Sequence, residues 1–95
     1  MSETINMAII ALEEKLPNGF DGSVKFEIAN EGSVIVSEDG VVESSNEADC
    51  TLTADKETFQ EIMSGDLNST AAFMQGKLKV DGDMGMAMRL ASVLS

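Results

Sequence analysis

The chain has no histidine, no tyrosine and no tryptophan, and only one cysteine among its 95 residues. Each absence removes a chemistry. Without histidine, the side chain that most readily moves a proton near neutral pH is gone, and with it the commonest metal ligand. Cys50, being alone, cannot form an intrachain disulfide, and a transition-metal site needs a cluster of ligands that this chain lacks. Ala48 and Leu52 give it the setting of a buried structural thiol, with no nearby base to activate it. Positive charge is scarce too: six Lys and Arg stand against seventeen Asp and Glu, a net charge of −11. A protein of that sign is repelled by phosphate backbones and anionic bilayers, so nucleic acid is excluded as a partner. No apolar run reaches the length of a membrane span, and stable membrane insertion is not expected. The N-terminal stretch carries Glu3 in place of a basic start and is broken by Glu13 and Glu14, so it does not read as a secretory signal.

What remains is ordinary in amount and unusual in kind. A hydrophobic fraction of 43% and a charged fraction of 24% suit one globular domain spanning residues 1–95, with a thin core. The aromatics are Phe20, Phe26, Phe59 and Phe73 only, whereas methionine appears seven times. Flexible thioethers make a core adaptable and weakly specifying. The acidity is concentrated in residues 1–50, with eleven acids against two bases; residues 51–95 have six against four.

Hydrophobic periodicity divides the chain into short elements. Ile5, Ile9, Leu12 and Leu16 fall at helical spacing over residues 3–16, with Ser2 as a candidate N-cap and Pro17-Asn18-Gly19 as the stop. From Gly22 the period becomes two: Val24, Phe26 and Ile28 alternate with Lys25 and Glu27, a half-buried strand. Turns at Asn30-Glu31-Gly32 and Asp39-Gly40 lead into Val34-Ile35-Val36 and Val41-Val42, which predicts an antiparallel meander. A polar stretch from Glu43 to Asp49 precedes a fourth strand with Cys50 and Leu52 on one face. Asp55 is placed to cap a helix carrying Phe59, Ile62 and Met63 and closed by Gly65. Asn68 or Ser69 is placed to cap another through Phe73 and Met74, closed by Gly76. Leu78 and Val80 read as a fifth strand, and Asp83 opens a last helix running to about Leu94.

That last helix is inverted in its proportions. Its polar positions, Gly85, Arg89 and Ser92, form one narrow stripe, while Met84, Met86, Ala87, Met88, Leu90, Ala91, Val93 and Leu94 fill the rest. A surface helix on a small domain normally buries a stripe and exposes the remainder. Either protein covers both flanks, or one flank faces something apolar from outside the chain. On spacing alone, a methionine stripe is the ordinary face of a core.

Candidate catalytic features are weak. The carboxylates sit where strands and helices turn outward, the position of solvated surface groups. Asp81-Gly82-Asp83 has the start of a calcium loop and none of the later ligands. Gly65 and Gly76 are too scattered to cradle a phosphate. The expectation is a protein with no enzymatic activity and no cofactor.

The second half carries a further signal. The runs Ala48-Asp49-Cys50-Thr51-Leu52-Thr53, Met63-Ser64-Gly65, Ala72 to Val80, and Gly82 to Met88 occur in order and closely resemble the sterol carrier protein 2, or non-specific lipid-transfer, family. Residues 48–90 carry the likeness; the first half agrees in layout more than in letters. The resemblance implies an α+β fold: a five-stranded mixed, mainly antiparallel sheet in order 3-2-1-4-5, with helices over one face and an apolar tunnel between. It implies that Phe73, Met74, Gln75, Leu78, Met84, Met86 and Met88 lie around or beside that tunnel. The inward residues Phe26, Ile28, Val36, Leu52, Phe59, Ile62, Met63 and Leu90 would complete the wall.

The function so implied is the binding and carrying of a hydrophobic small molecule: an acyl chain, an acyl-CoA or a sterol-like lipid, with broad specificity. The alternative is an accessory module with a filled core and no ligand. The final residues Val93-Leu94-Ser95 are not a peroxisomal tripeptide, so the expected location is the cytoplasm.

Overall fold

The structure, a computed structural model, describes residues 3–94. Helix α1 (Glu3–Lys15) comes first, followed by strands β1 (Val24–Ile28), β2 (Gly32–Ser37), β3 (Gly40–Glu43) and β4 (Cys50–Ala54). Helices α2 (Lys56–Ser64) and α3 (Ser69–Met74), strand β5 (Lys79–Gly82) and helix α4 (Met84–Leu94) complete the chain. The candidate cap Ser2 lies outside the described residues. Thr4, Ile5, Ala8 and Leu12 form the buried stripe of α1, at the spacing that packs one face of a helix.

The meander forms as the turn residues require. Val24 pairs with Val36 and Ile28 with Gly32 in an antiparallel ladder, and Val36 pairs with Val41 in the next. Asn30 and Gly40 take the left-handed backbone that tight turns need (φ 65° and 111°). β4 then lies beside β1 in parallel, Phe26 opposite Leu52, and β5 runs antiparallel to β4, so the strand order is β3-β2-β1-β4-β5. The parallel pairing makes the sheet mixed; the other three are antiparallel.

One face of the sheet is covered. Val24, Phe26, Ile28, Val34, Val36, Cys50, Leu52 and Ala54 point toward the helices and are buried, while Glu27 and Val42 lie exposed on the other side. α1 lies over β2 and β3, with α2 beside it; α4 lies over β4 and β5, with α3 against it. Phe26 and Phe59 meet edge to face at 5.4 Å in the centre of the core.

The helix starts follow their capping residues. The Asp55 side chain accepts from Thr58 N–H at 2.7 Å, and Asn68 accepts from Thr70 and Ala71. The Asp83 side chain accepts from Met86 N–H at 3.0 Å. Asn68 is therefore the cap of α3, and Ser69 is its first helical residue. One boundary differs from the sequence reading. Leu78 does not belong to β5: its N–H bonds to the Ala72 carbonyl at the end of α3, and sheet pairing begins at Lys79. Its side chain is buried all the same.

Candidate functional site

The two halves of the covered face are packed differently. Under α1 and α2 the core is filled by branched and aromatic side chains. Under α4, the residues facing β4 and β5 include Ala87 and Ala91, one turn apart, and two alanines leave a gap where longer side chains would close it. The gap is an apolar cleft of about 20 Å³. Its floor is Leu52 and Val80, with Leu78 at one side; α3 supplies Ser69, Thr70 and Phe73, and α4 supplies Ala87, Met88, Ala91 and Leu94.

Of the residues expected around a tunnel, the structure brings Leu52, Phe73, Leu78 and Met88 to this cleft. Phe26, Ile28, Val36, Phe59, Ile62 and Leu90 lie in the closed core and do not line it. Met63 packs against that core from its edge. Met74, Met84 and Gln75 are exposed; the Gln75 N–H ends α3 by bonding to the Ala71 carbonyl. Met86 lies on the far side of α4, over Gly22. In place of a through-running tunnel there is a cleft with room for about one water, whereas small-molecule pockets span about 300–1,000 Å³.

Sequence reading missed Ser69, Thr70, Val80, Ala87, Ala91 and Leu94. The spacing of Ala87 and Ala91 was the available signal: attention to bulky methionines points to what fills space, while small residues on the buried stripe point to where space is left.

The inverted helix resolves into two unlike flanks. Met86 is covered by the loop at Gly22, and next to it the Arg89 guanidinium lies 5.4 Å from the Phe20 ring centroid and donates to the Asp21 carbonyl at 3.1 Å. The other flank, Met84 and Met88, faces outward beside the cleft. Protein therefore covers one flank and leaves the other open.

Among the described residues no group of three or more metal-ligating side chains gathers. Cys50 is buried in β4, and burial, reinforced by Asp83 and Asp81, raises its pKa and keeps it a neutral thiol. Hydrogen bonds from Thr58 hold the Asp55 carboxyl below its usual range, which suits a helix cap. No described helix is long and apolar enough to cross a membrane.

Comparison with known proteins agrees with this fold. The profile of the SCP-2 sterol transfer family matches residues 9–95. The chain is 37% identical over 78 residues, 81% of its length, to sterol carrier protein 2 of Homo sapiens, and 38% identical to that of Gallus gallus. It spans 13% of the length of these curated relatives. Among solved structures, the sterol carrier protein-2 of Aedes aegypti in complex with palmitate has a TM-score of 0.79 at 21% identity, covering 100% of this chain and 97% of that one. The palmitated SCP2L2 of the same organism has a TM-score of 0.70 at 28% identity, covering 99% and 95%. With the profile spanning nearly the whole chain, and relatives 37% and 38% identical over 81% of it, the chain belongs to the SCP-2 sterol transfer family.

Proposed function

We propose that this chain is a single lipid-binding domain that holds a long-chain lipid between α3, α4 and strands β4 and β5, and carries it between surfaces. The observation that carries the reading is the cleft itself, apolar on every side but one, and flanked by the exposed Phe73 and Met88. The palmitated relative supports the same reading for this chain. At about 20 Å³ the cleft takes a long chain only when side chains and α3 give way. Met88, unbranched and at the surface, is built for that. α3 is only six residues long and makes its main contact with α4, so a guest that parts the two meets a short element.

Energy makes a carrier plausible without tight binding. Each buried methylene gives about 0.8 kcal/mol, so a long acyl chain offers on the order of 10 kcal/mol gross. A bilayer or micelle offers the same, and exchange between them is close to balanced. An adaptable wall then favours several ligand shapes, acyl chains, acyl-CoA and sterol-like lipids among them. The role is binding, with no catalytic step assigned to any residue. The unpaired Cys50 is in keeping with a reducing compartment such as the cytoplasm.

The small volume favours one competing reading: an accessory module whose core stays filled. Melting in the presence of long-chain fatty acid, acyl-CoA and sterol separates the two. A ligand that binds the folded state raises the melting temperature by mass action. A rise with at least one class, together with a one-to-one complex in native mass spectrometry, is expected; a flat response to all three leaves the filled module.

A further inference from the structure

We propose that Met88 is a peroxide-sensitive site in the cleft wall, and that oxidation of its thioether to the sulfoxide weakens lipid binding. The inference rests on the lipid-binding reading above and adds to it a modification that ends binding.

Oxidation has few places to act in this chain. Thiols meet peroxide as thiolates, and Cys50 is sealed in β4 as a neutral thiol. A thioether needs no deprotonation, so reactivity among the methionines follows exposure. Met63 and Met86 pack against the core, whereas Met7, Met74, Met84 and Met88 are exposed. Of these four only Met88 lines the cleft, and among the described residues of the cleft wall it alone carries sulfur.

The position of Met88 couples that sulfur to a guest. It precedes Ala91 by three positions, and residues so spaced are neighbours on a helix surface, which puts its side chain at the edge of the gap. At 44% exposed it is also open to peroxide. Met74, at 80% exposed, reacts more readily but stands away from the cleft wall.

The step transfers one oxygen. A sulfur lone pair attacks one oxygen of hydrogen peroxide, and the S–O bond forms as the O–O bond breaks. The departing hydroxide takes the proton left on the attacked oxygen and leaves as water. Sulfur loses the two electrons that the peroxide gains. The product is a polar, chiral side chain with a strong acceptor oxygen. No lysine or arginine lines the cleft to meet that oxygen, so it turns to water. A lipid pressing hydrocarbon against it strips the water away, at the cost of an unpaired polar group.

The test treats the full chain with graded hydrogen peroxide and counts sulfoxide at each methionine by peptide mass spectrometry. Binding of palmitate, palmitoyl-CoA and cholesterol is measured before and after by titration calorimetry. Whichever of these binds the untreated protein is expected to weaken about five- to thirty-fold in step with oxidation of Met88. Methionine sulfoxide reductases of both stereochemical kinds, with dithiothreitol, are expected to restore it. Met88→Leu, compared with its own untreated form, is expected to show no loss, while Met7→Leu with Met74→Leu loses as the parent does. Full affinity with Met88 oxidised, or an equal loss in Met88→Leu, overturns the inference and leaves the lipid-binding reading standing. Met88 left reduced at doses that oxidise Met84, its equally exposed neighbour, does the same. Failure of all three ligands to bind the untreated protein removes both.

Discussion

Gly22 lies so close beneath Met86 that a Cβ on the glycine would stand 2.7 Å from the methionine's terminal methyl carbon. Together with Arg89 over Phe20, this contact closes one flank of α4 against the loop that follows α1. The flank bearing Met88 has no such cover. α4 is thus held on one side, and a guest between it and the sheet displaces α3 and Met88 before it displaces α4. A Met86→Ala variant is expected to loosen α4 and raise hydrogen exchange along it, without abolishing lipid binding.

The same loop makes an equally close approach to the turn between β2 and β3. Gly19 has φ +80°, and a Cβ there would lie 2.7 Å from the Glu38 carbonyl oxygen, a backbone atom that cannot swing aside. At Gly22 the obstacle is a flexible side-chain end. Gly19→Ala is therefore expected to cost more than about 2 kcal/mol and Gly22→Ala about 1–2 kcal/mol, measured by urea unfolding at constant slope.

Filling the cleft separates stability from binding. Ala91→Leu places a larger side chain where a lipid would lie. Stability is expected to change by less than about 3 kcal/mol, the usual range for overpacking, while the rise in melting temperature with lipid is largely lost. An unchanged ligand response would locate the bound lipid elsewhere.

Much of the fold was legible because local chemistry and tertiary packing agree. Asp55, Asn68 and Asp83 cap the helices they precede, and Gly32 and Gly40 begin the strands that follow their turns. The end of α3 was read less well, because Leu78 has strand-like neighbours while its N–H is claimed by Ala72. The site was legible only in part. Phe26, Phe59 and Leu90 have the same apolar character as Phe73 and Met88, and no periodicity distinguishes a side chain that seals a core from one that borders a gap. What distinguishes them is the size of the residue opposite, here Ala87 and Ala91, and that depends on the packing of α4 across β4 and β5.

Cys50 gives a pH signature. Burial raises its thiol pKa above the ordinary 9.0, so the unfolded chain ionises at a pH where the folded one does not. This contribution is intact below the unfolded value and is lost as pH rises from there through the folded value. Alkylation at about pH 8 is expected to be slow in buffer and fast in urea, and Cys50→Ala is expected to flatten the loss of stability above about pH 9. Fast labelling of the folded protein would contradict the burial argument.

Net charge sets the encounter with membranes. At −11, approach to anionic vesicles is expected to be slow at low salt and to quicken as salt screens the repulsion, with little salt effect for neutral vesicles. Lipid transfer that is fastest at low salt would assign the encounter to local cations such as Lys77 and Lys79.

Lipid is expected to lie between α3, α4 and the β4–β5 edge of the sheet. Methyl NMR of the protein titrated with a long-chain lipid tests it residue by residue. The Met88, Ala87 and Ala91 methyls should shift and saturate together at one equivalent, while the exposed Met7 methyl on α1 stays in place. Shifts confined to Met7 and its neighbours, with the three α4 methyls unmoved by a lipid that binds, would contradict it.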